Sequence, residues 1–163
     1  MLQLDGVIVG AGILGMLTGI EISKSFSDLD LAILEKEKFV GEHSSSRNSG
    51  VLHAGLYYPF NSFKRRFCIE GNNLWYELGE KHKIDVKKCG KYLIAINEDE
   101  IYFLEKLINQ AKKNNVKNIS WVNASDIKEL KKIINVKKAF FSGETGVIDL
   151  GQVIKFTEDL VFK

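Results

Sequence analysis

The stretch Val7-Ile8-Val9-Gly10-Ala11-Gly12-Ile13-Leu14-Gly15 constrains this chain more than any other. A β-branched run leads into glycines at the Gly-x-Gly-x-x-Gly spacing. An apolar helical stretch follows, then a second apolar run, Leu31-Ala32-Ile33-Leu34, and the acid Glu35. This order describes one βαβ unit shaped to hold a dinucleotide. Gly10 allows a sharp turn off the strand, Gly12 lets backbone approach a pyrophosphate, and Gly15 allows close helix–strand packing. The positive end of the helix and its free N–H groups then face phosphate, and Glu35 accepts from ribose hydroxyls. A carboxylate there repels a 2′-phosphate, which disfavours an NADP-type ligand. The alternative is an ordinary strand-to-helix turn with Glu35 as a solvated charge.

Composition narrows the class without naming a chemistry. The 163 residues are 45% hydrophobic and 27% charged, with a net charge of +2, the profile of a globular chain able to bury a substantial core. Lysine pairs such as Lys87-Lys88 and Lys112-Lys113 are scattered among acids and amides, so no continuous basic stripe supports nucleic-acid binding. No apolar run approaches the roughly 18 residues of a membrane span, although peripheral membrane contact stays open. Only Cys68 and Cys89 are present, and no leader pattern or disulfide framework is legible, which sets the expectation of a cytoplasmic protein with reduced thiols. No metal ligand set is assigned.

Along the chain, periodicity predicts a helix from about Ile13 to Phe26 with Leu14, Leu17 and Ile20 inward and Ile13 and Met16 as further candidates for that side, and a buried strand from Leu31 to Leu34. Residues 41 to 50 have neither helical nor strand period and are crowded with small hydrogen-bonding side chains. An NAD-binding unit would normally enter another helix here, so this excursion reads either as a surface loop or as backbone wrapped round an extended cofactor. A helix from about Ser62 to His82 would bury Phe63, Phe67, Leu74, Trp75 and Leu78. Strands are expected at 85–88 and 91–96. Asn97 with Glu100 forms a capping box for a helix to about Asn114, with Ile101, Leu104, Leu107, Ile108 and Ala111 on one face. A strand at 119–122, a short helix capped by Asp126 and Glu129 and running through Leu130, a strand at 139–141 and a last helix from Leu150 complete the reading. The expected division is 1–84 as the first segment of a nucleotide-binding domain, 85–150 as part of a substrate domain, and 151–163 as the start of a helix returning to the first domain.

Five stretches together resemble a known family. They are Val9 to Gly15, Leu34-Glu35-Lys36-Glu37, Arg47-Asn48-Ser49-Gly50-Val51-Leu52-His53-Ala54-Gly55-Leu56-Tyr57-Tyr58, Cys89-Gly90-Lys91, and Glu144-Thr145-Gly146-Val147-Ile148-Asp149. In this order and spacing the chain resembles the FAD-dependent oxidoreductases of the D-amino-acid-oxidase-like class, most of all the L-2-hydroxyglutarate oxidase (dehydrogenase) family. Ser46 and Pro59-Phe60-Asn61 depart from the family pattern. The resemblance implies an α/β fold: a Rossmann-like βαβ FAD-binding domain, incomplete here, followed by the first part of an α+β substrate domain.

It also implies FAD as cofactor and oxidation of a small-molecule 2-hydroxy acid, L-2-hydroxyglutarate, to its 2-oxo acid by hydride transfer to flavin. His53 is then the base, because neutral imidazole titrates near working pH; the alternative is a structural hydrogen-bond partner. Gly10, Gly12, Ile13, Leu14, Gly15, Glu35, Lys36, Arg47, Asn48, Ser49 and Gly50 would hold the cofactor. Tyr57, Tyr58 and Lys64 would line the substrate side, against the alternative of core tyrosines and a surface lysine. His43 and His82 read as exposed, and Cys68 as a packing residue rather than a nucleophile.

Family members are more than twice this length, so the resemblance also implies that 163 residues carry a partial site, inactive alone, with an open sheet edge suited to a complementing C-terminal chain or self-association. Two readings of the same class or fold stand beside this one: an amino-acid oxidase, and a non-catalytic remnant or nucleotide-binding module. An NAD-binding dehydrogenase is a weaker alternative, disfavoured by the polar 41–50 segment.

Overall fold

The computed structural model describes residues 3 to 127 and 135 to 162. The short helix expected from Asp126 through Leu130 falls largely on residues outside those described; before them, Ala124–Asp126 form a single 3₁₀ turn. By packing, the chain divides into two compact units, Met1–Gly50 with Asp149–Lys163, and Val51–Ile148.

In the first unit, β1 (Gly6–Val9) and β2 (Leu31–Leu34) pair in parallel, Gly6 opposite Leu31 and Val9 opposite Leu34, and α1 (Ile13–Ser25) connects them. This is the expected βαβ crossover. A second helix, which we label α4 (Leu150–Val161), packs on α1; Asp149 caps it by accepting from the Gln152 amide at 2.9 Å. The inward stripe of α1 is Met16, Gly19 and Ile20, whereas Leu14 is 83% exposed, contrary to expectation. Leu14 and Met16 lie two positions apart, about 200° round the helix, so both cannot face one core. Val7, Val9 and Leu34 are also exposed. Among the described residues this sheet has two strands, and part of its apolar surface lies open.

The second unit holds two antiparallel sheets. In one, β8 (Gly146–Ile148) lies between β3 (Val51–Leu52) and β4 (Val86–Lys87); in the other, β7 (Lys138–Ser142) lies between β5 (Lys91–Ala95) and β6 (Ile119–Val122). Residues 51 to 84 therefore pack with this unit, because β3 and β4 both pair with β8 and α2 (Phe63–His82) lies against β4. The sequence expectation set its division near residue 84.

The core gathers Ala54, Leu56, Ala95, Leu104, Ile108 and Phe140, and α3 (Glu98–Lys113) contributes the face predicted for it. Its cap forms as expected on one side, the Asn97 side chain accepting from the Glu100 amide at 2.9 Å, while Glu100 Oε2 reaches one residue past the cap and accepts from the Ile96 amide at 2.7 Å.

Helix α2 begins as expected, with Ser62 Oγ accepting from the Arg65 amide at 3.1 Å, but of its expected apolar face only Trp75 and Leu78 are half-buried. Phe63, Phe67 and Leu74 are exposed, while Asn72 and Gly79 are buried. The inward face is polar because it is used for hydrogen bonding. Asn72 Nδ2 donates to the carbonyls of Leu52 and Glu144, and Tyr76 Oη donates to the carbonyl of Glu144 at 3.2 Å. These bonds fasten the segment before β8 to α2, and β8 in turn holds β3, the strand that delivers His53.

Candidate functional site

The first cluster of candidate residues is built at the carboxyl ends of β1 and β2. The chain leaves β1 at Gly10 with φ of +102°, a left-handed turn that glycine adopts without penalty. The Gly10 amide donates to the Leu34 carbonyl at 2.7 Å, so the turn continues the parallel ladder by one bond. A Cβ on Gly15 would sit 2.0 Å from the Gly10 carbonyl oxygen, closer than any non-bonded contact allows. The first turn of α1 thus lies directly against the end of β1, and only glycine permits it.

Glu35 closes this loop from the other strand. Its Oε2 accepts from the Ala11 amide at 2.8 Å and its Oε1 from the Glu37 amide at 3.0 Å. These backbone donors favour the ionised form, the Glu37 amide first, and hold the carboxyl below the usual glutamate value. A carboxylate offers about four lone-pair sites, so acceptor capacity remains for a ligand. Next to it, His43 Nε2 lies 2.8 Å from Glu37 Oε1, and that bond chiefly lowers the Glu37 pKa. Lys36 is exposed and lies 3.6 Å from the Glu37 carboxylate.

The segment 41–50 folds over the helix start. Ser45 Oγ accepts from the Ile13 amide at 3.1 Å, satisfying one N–H of the first turn of α1 that Gly12 at the cap has no side chain to reach. Sequence reasoning missed Ser45; the excess of serines between 44 and 49 was the available signal. Asn48 acts within the loop: its Nδ2 donates to the carbonyls of Ser44 and Ser45, and its Oδ1 accepts from the Gly50 amide at 2.9 Å. Arg47 and Ser49 are exposed and Gly50 is buried. Between this loop, the glycine turn and the end of β2 lies a cleft of about 340 Å³, lined by Gly10, Gly12, Glu35, Lys36 and Gly41 to Ser45 among others. Gly10, Gly12, Glu35 and Lys36 therefore share one cleft, which Ile13, Leu14, Gly15 and residues 47 to 50 do not line.

The second cluster lies in the other unit, past β3. His53 is exposed, and its ring meets the Tyr57 ring edge-on at 6.2 Å between centroids. Partial desolvation, and secondarily the Lys91 ammonium, push the His53 pKa below the ordinary histidine value. Both effects favour the neutral imidazole, the form a proton acceptor requires. Lys91 Nζ donates to Tyr57 Oη at 2.7 Å and lies 4.6 Å from that ring's centroid. Sequence reasoning did not single out Lys91, which is 34 positions from Tyr57 and at the start of β5; only its place in Cys89-Gly90-Lys91 marked it.

Tyr58 is half-buried with Lys64 Nζ 5.0 Å over its ring, while Lys64 itself is exposed. The Tyr58 carbonyl accepts from Gln110 Nε2 and Asn114 Nδ2, and the latter also reaches the Gly55 carbonyl at 2.9 Å. Asn114 is fully buried and pins the 53–58 turn to the end of α3. Cys68 donates its thiol hydrogen to the His53 carbonyl at 3.1 Å, and burial raises its pKa, the reverse of what a nucleophilic thiol needs.

Residues 5–158 match the family described as FAD dependent oxidoreductase. The chain belongs to that family. Among curated relatives, the L-2-hydroxyglutarate dehydrogenase, mitochondrial, of Caenorhabditis elegans is 40% identical over 156 residues, covering 95% of this chain and 36% of the relative. The protein of the same name from Nematostella vectensis is 40% identical over 149 residues, covering 91% of this chain and 33% of the relative. The chain thus spans about a third of the length of these relatives. Among solved structures, the L-α-glycerophosphate oxidase of Mycoplasma pneumoniae with FAD bound superposes with a TM-score of 0.82 at 24% identity, over 99% of this chain and 44% of the other. That likeness establishes the fold.

The expectation of a cytoplasmic protein is overturned, because these relatives are named as mitochondrial. Two free cysteines and a balanced charge fit any reducing compartment, so composition had no power to separate them. Among the described residues, no helix is long and apolar enough to cross a membrane.

Proposed function

We propose that this chain forms the cofactor-gripping and proton-accepting portion of an enzyme that oxidises L-2-hydroxyglutarate to 2-oxoglutarate. The observation that carries this reading is the 40% identity to proteins named for that substrate over nearly all of this chain. The glycine cleft fits FAD: a side chain at Gly15 is sterically barred, Gly12 leaves the helix start uncovered by any side chain of its own, and an ionised Glu35 stands at the end of β2. Gly10 and Gly12, which line the cleft, would hold the pyrophosphate, with Ile13, Leu14 and Gly15 supporting them from the first turn of α1, and Glu35 and Lys36 would meet the ribose end. Arg47, Asn48, Ser49 and Gly50 carry the chain past the flavin end, with Asn48 setting the loop's shape.

Bound FAD supplies the two-electron acceptor. Neutral His53 takes the proton of the substrate C2 hydroxyl as the C2 hydrogen leaves with its electron pair, so that C2–O becomes a carbonyl and the imidazole becomes imidazolium. Tyr57 and Tyr58 flank the substrate, with Lys64 at the rim over Tyr58. Activity on this reading belongs to the longest natural product containing these residues, and the exposed Val7, Val9 and Leu34 are the surface that a complementing segment or a second copy covers.

The experiment is to purify that product and add L-2-hydroxyglutarate without oxygen. Bleaching of the flavin band with formation of 2-oxoglutarate is expected. Bleaching by amino acids instead would replace the reading with an amino-acid oxidase, and failure to retain FAD would leave a non-catalytic module.

A further inference from the structure

The mechanism above leaves Lys91 unused, yet its surroundings are unlike those of its neighbours. In the same unit Lys88 pairs with Glu144, Lys137 with Glu98 and Lys138 with Glu105. Among the described residues Lys91 pairs with no carboxylate; the residue is half-buried, and its ammonium donates to Tyr57 Oη and lies against the Tyr57 ring, which in turn meets His53. An ammonium has three donors, of which the phenol oxygen takes one, so donors remain for an anion. The phenol oxygen accepts from Lys91, which leaves its own O–H free to act as a donor. Lys91 N–H groups and the Tyr57 O–H thus form a two-pronged donor set beside the proposed base.

We propose that Lys91 and Tyr57 are the seat for a carboxylate of the acid substrate, with Lys91 the residue that selects an anion and Tyr57 the one that orients it. This rests on the reading of His53 as proton acceptor for a hydroxy acid. An anionic group seated here holds the neighbouring C2 hydroxyl within the reach of a general base.

The probe is glutarate, which has the carboxylates but no hydroxyl to oxidise. Its binding to the full natural chain is followed by NMR through the ring protons of His53 and Tyr57, in the unsubstituted protein and in Lys91→Met, Lys91→Arg and Tyr57→Phe. Saturable binding is expected, weakened at least about tenfold by Lys91→Met, about threefold by Tyr57→Phe, and by less than about threefold in Lys91→Arg, which keeps the charge. In turnover, Lys91→Met should raise KM for L-2-hydroxyglutarate by a similar factor with a smaller change in kcat. Absence of saturable glutarate binding, or unchanged binding in both Lys91→Met and Tyr57→Phe, overturns the assignment. If Lys91→Met does not fold, unchanged binding in Tyr57→Phe alone overturns it. Unchanged KM with normal turnover overturns it and leaves the oxidation reading intact. Lys91-dependent glutarate binding without turnover of L-2-hydroxyglutarate sinks the oxidation reading and leaves the seat standing.

Discussion

The Glu35 carboxylate and the Ala11 amide are joined by a 2.8 Å hydrogen bond that ties the end of β2 to the middle of the glycine turn. The same carboxylate accepts from Glu37, so the residue proposed to meet a ribose is also the clamp that shapes the loop. Glu35→Gln keeps one acceptor oxygen where there were two, and an amide nitrogen is then forced against a backbone N–H. FAD affinity should fall by on the order of tenfold, the size of one lost charge-assisted hydrogen bond. Fluorescence titration with FAD reads it, and an unchanged affinity would show that the clamp does not matter to the cofactor.

Gly15→Ala tests the helix–strand contact directly. The added methyl would lie 2.0 Å from a backbone oxygen, where no rotamer can relieve the clash. The cost is expected at about 3 kcal/mol or more, the upper end for overpacking, in urea unfolding. Gly71→Ala is the matched control: it also lies in a helix, its added Cβ meets nothing within 4 Å, and it should be neutral or slightly stabilising.

Much of this was legible in the sequence where partners are close in the chain. The β1–α1–β2 unit, Glu35 at its end and the Asn97–Glu100 cap depend on local period and spacing, and the structure has them. Reasoning from letters failed where the deciding partner was distant. Periodicity puts Phe63, Phe67 and Leu74 of α2 inward, but they are exposed, and Asn72 and Tyr76 turn in because the carbonyls of Leu52 and Glu144 take donors there. No periodicity scan sees an unmet carbonyl seventy residues away. The same blindness hid Lys91, and it hid the assignment of β4 and β5 to separate sheets, since both pairings are made with strands near the end of the chain.

Asn114 illustrates how such a distant bond supports the site. Its Nδ2 serves two carbonyls in the 55–58 turn, and the residue is fully buried. Asn114→Ala leaves the Gly55 oxygen without a donor, while the Tyr58 oxygen keeps Gln110, and should cost roughly 1 to 3 kcal/mol of stability, the penalty of one unpaired buried group. Loss of order should show as faster amide exchange between His53 and Tyr58, a local effect that a uniform loss of stability would not give.

Acid should weaken this protein in two stages. His53 has a folded-state pKa below its ordinary value, owing to desolvation and then to Lys91, so protonation favours the unfolded chain. Its stabilising share is present in full above about pH 6.5 and is lost as pH falls from there through the lower folded value. Glu35 and Glu37 are also held low, and their share is present above the ordinary carboxylate range and lost as pH falls through the depressed values. Urea midpoints measured against pH should therefore fall first in the histidine range. Lys91→Met should shrink that first step without abolishing it, because desolvation is the larger cause. A first step untouched by His53→Gln would assign it to another group.

The role of His53 separates chemistry from cofactor binding. Among the described residues, the hydrogen bonds that shape the glycine cleft run among Gly10, Ala11, Ile13, Leu34, Glu35, Glu37, Gly41, His43 and Ser45, and none involves His53. His53→Ala in the full natural product should therefore retain FAD with unchanged affinity. The loss of a general base removes about 10²–10⁴-fold of rate, and if the base is His53 the rate of flavin reduction by L-2-hydroxyglutarate should fall by that factor. Raising the pH should recover part of the loss, because more of the substrate hydroxyl then ionises without help. A variant that reduces flavin at the unsubstituted rate would return His53 to a structural role, holding its neighbour Tyr57 in place. A variant that loses FAD would instead show that this exposed imidazole helps bind the cofactor.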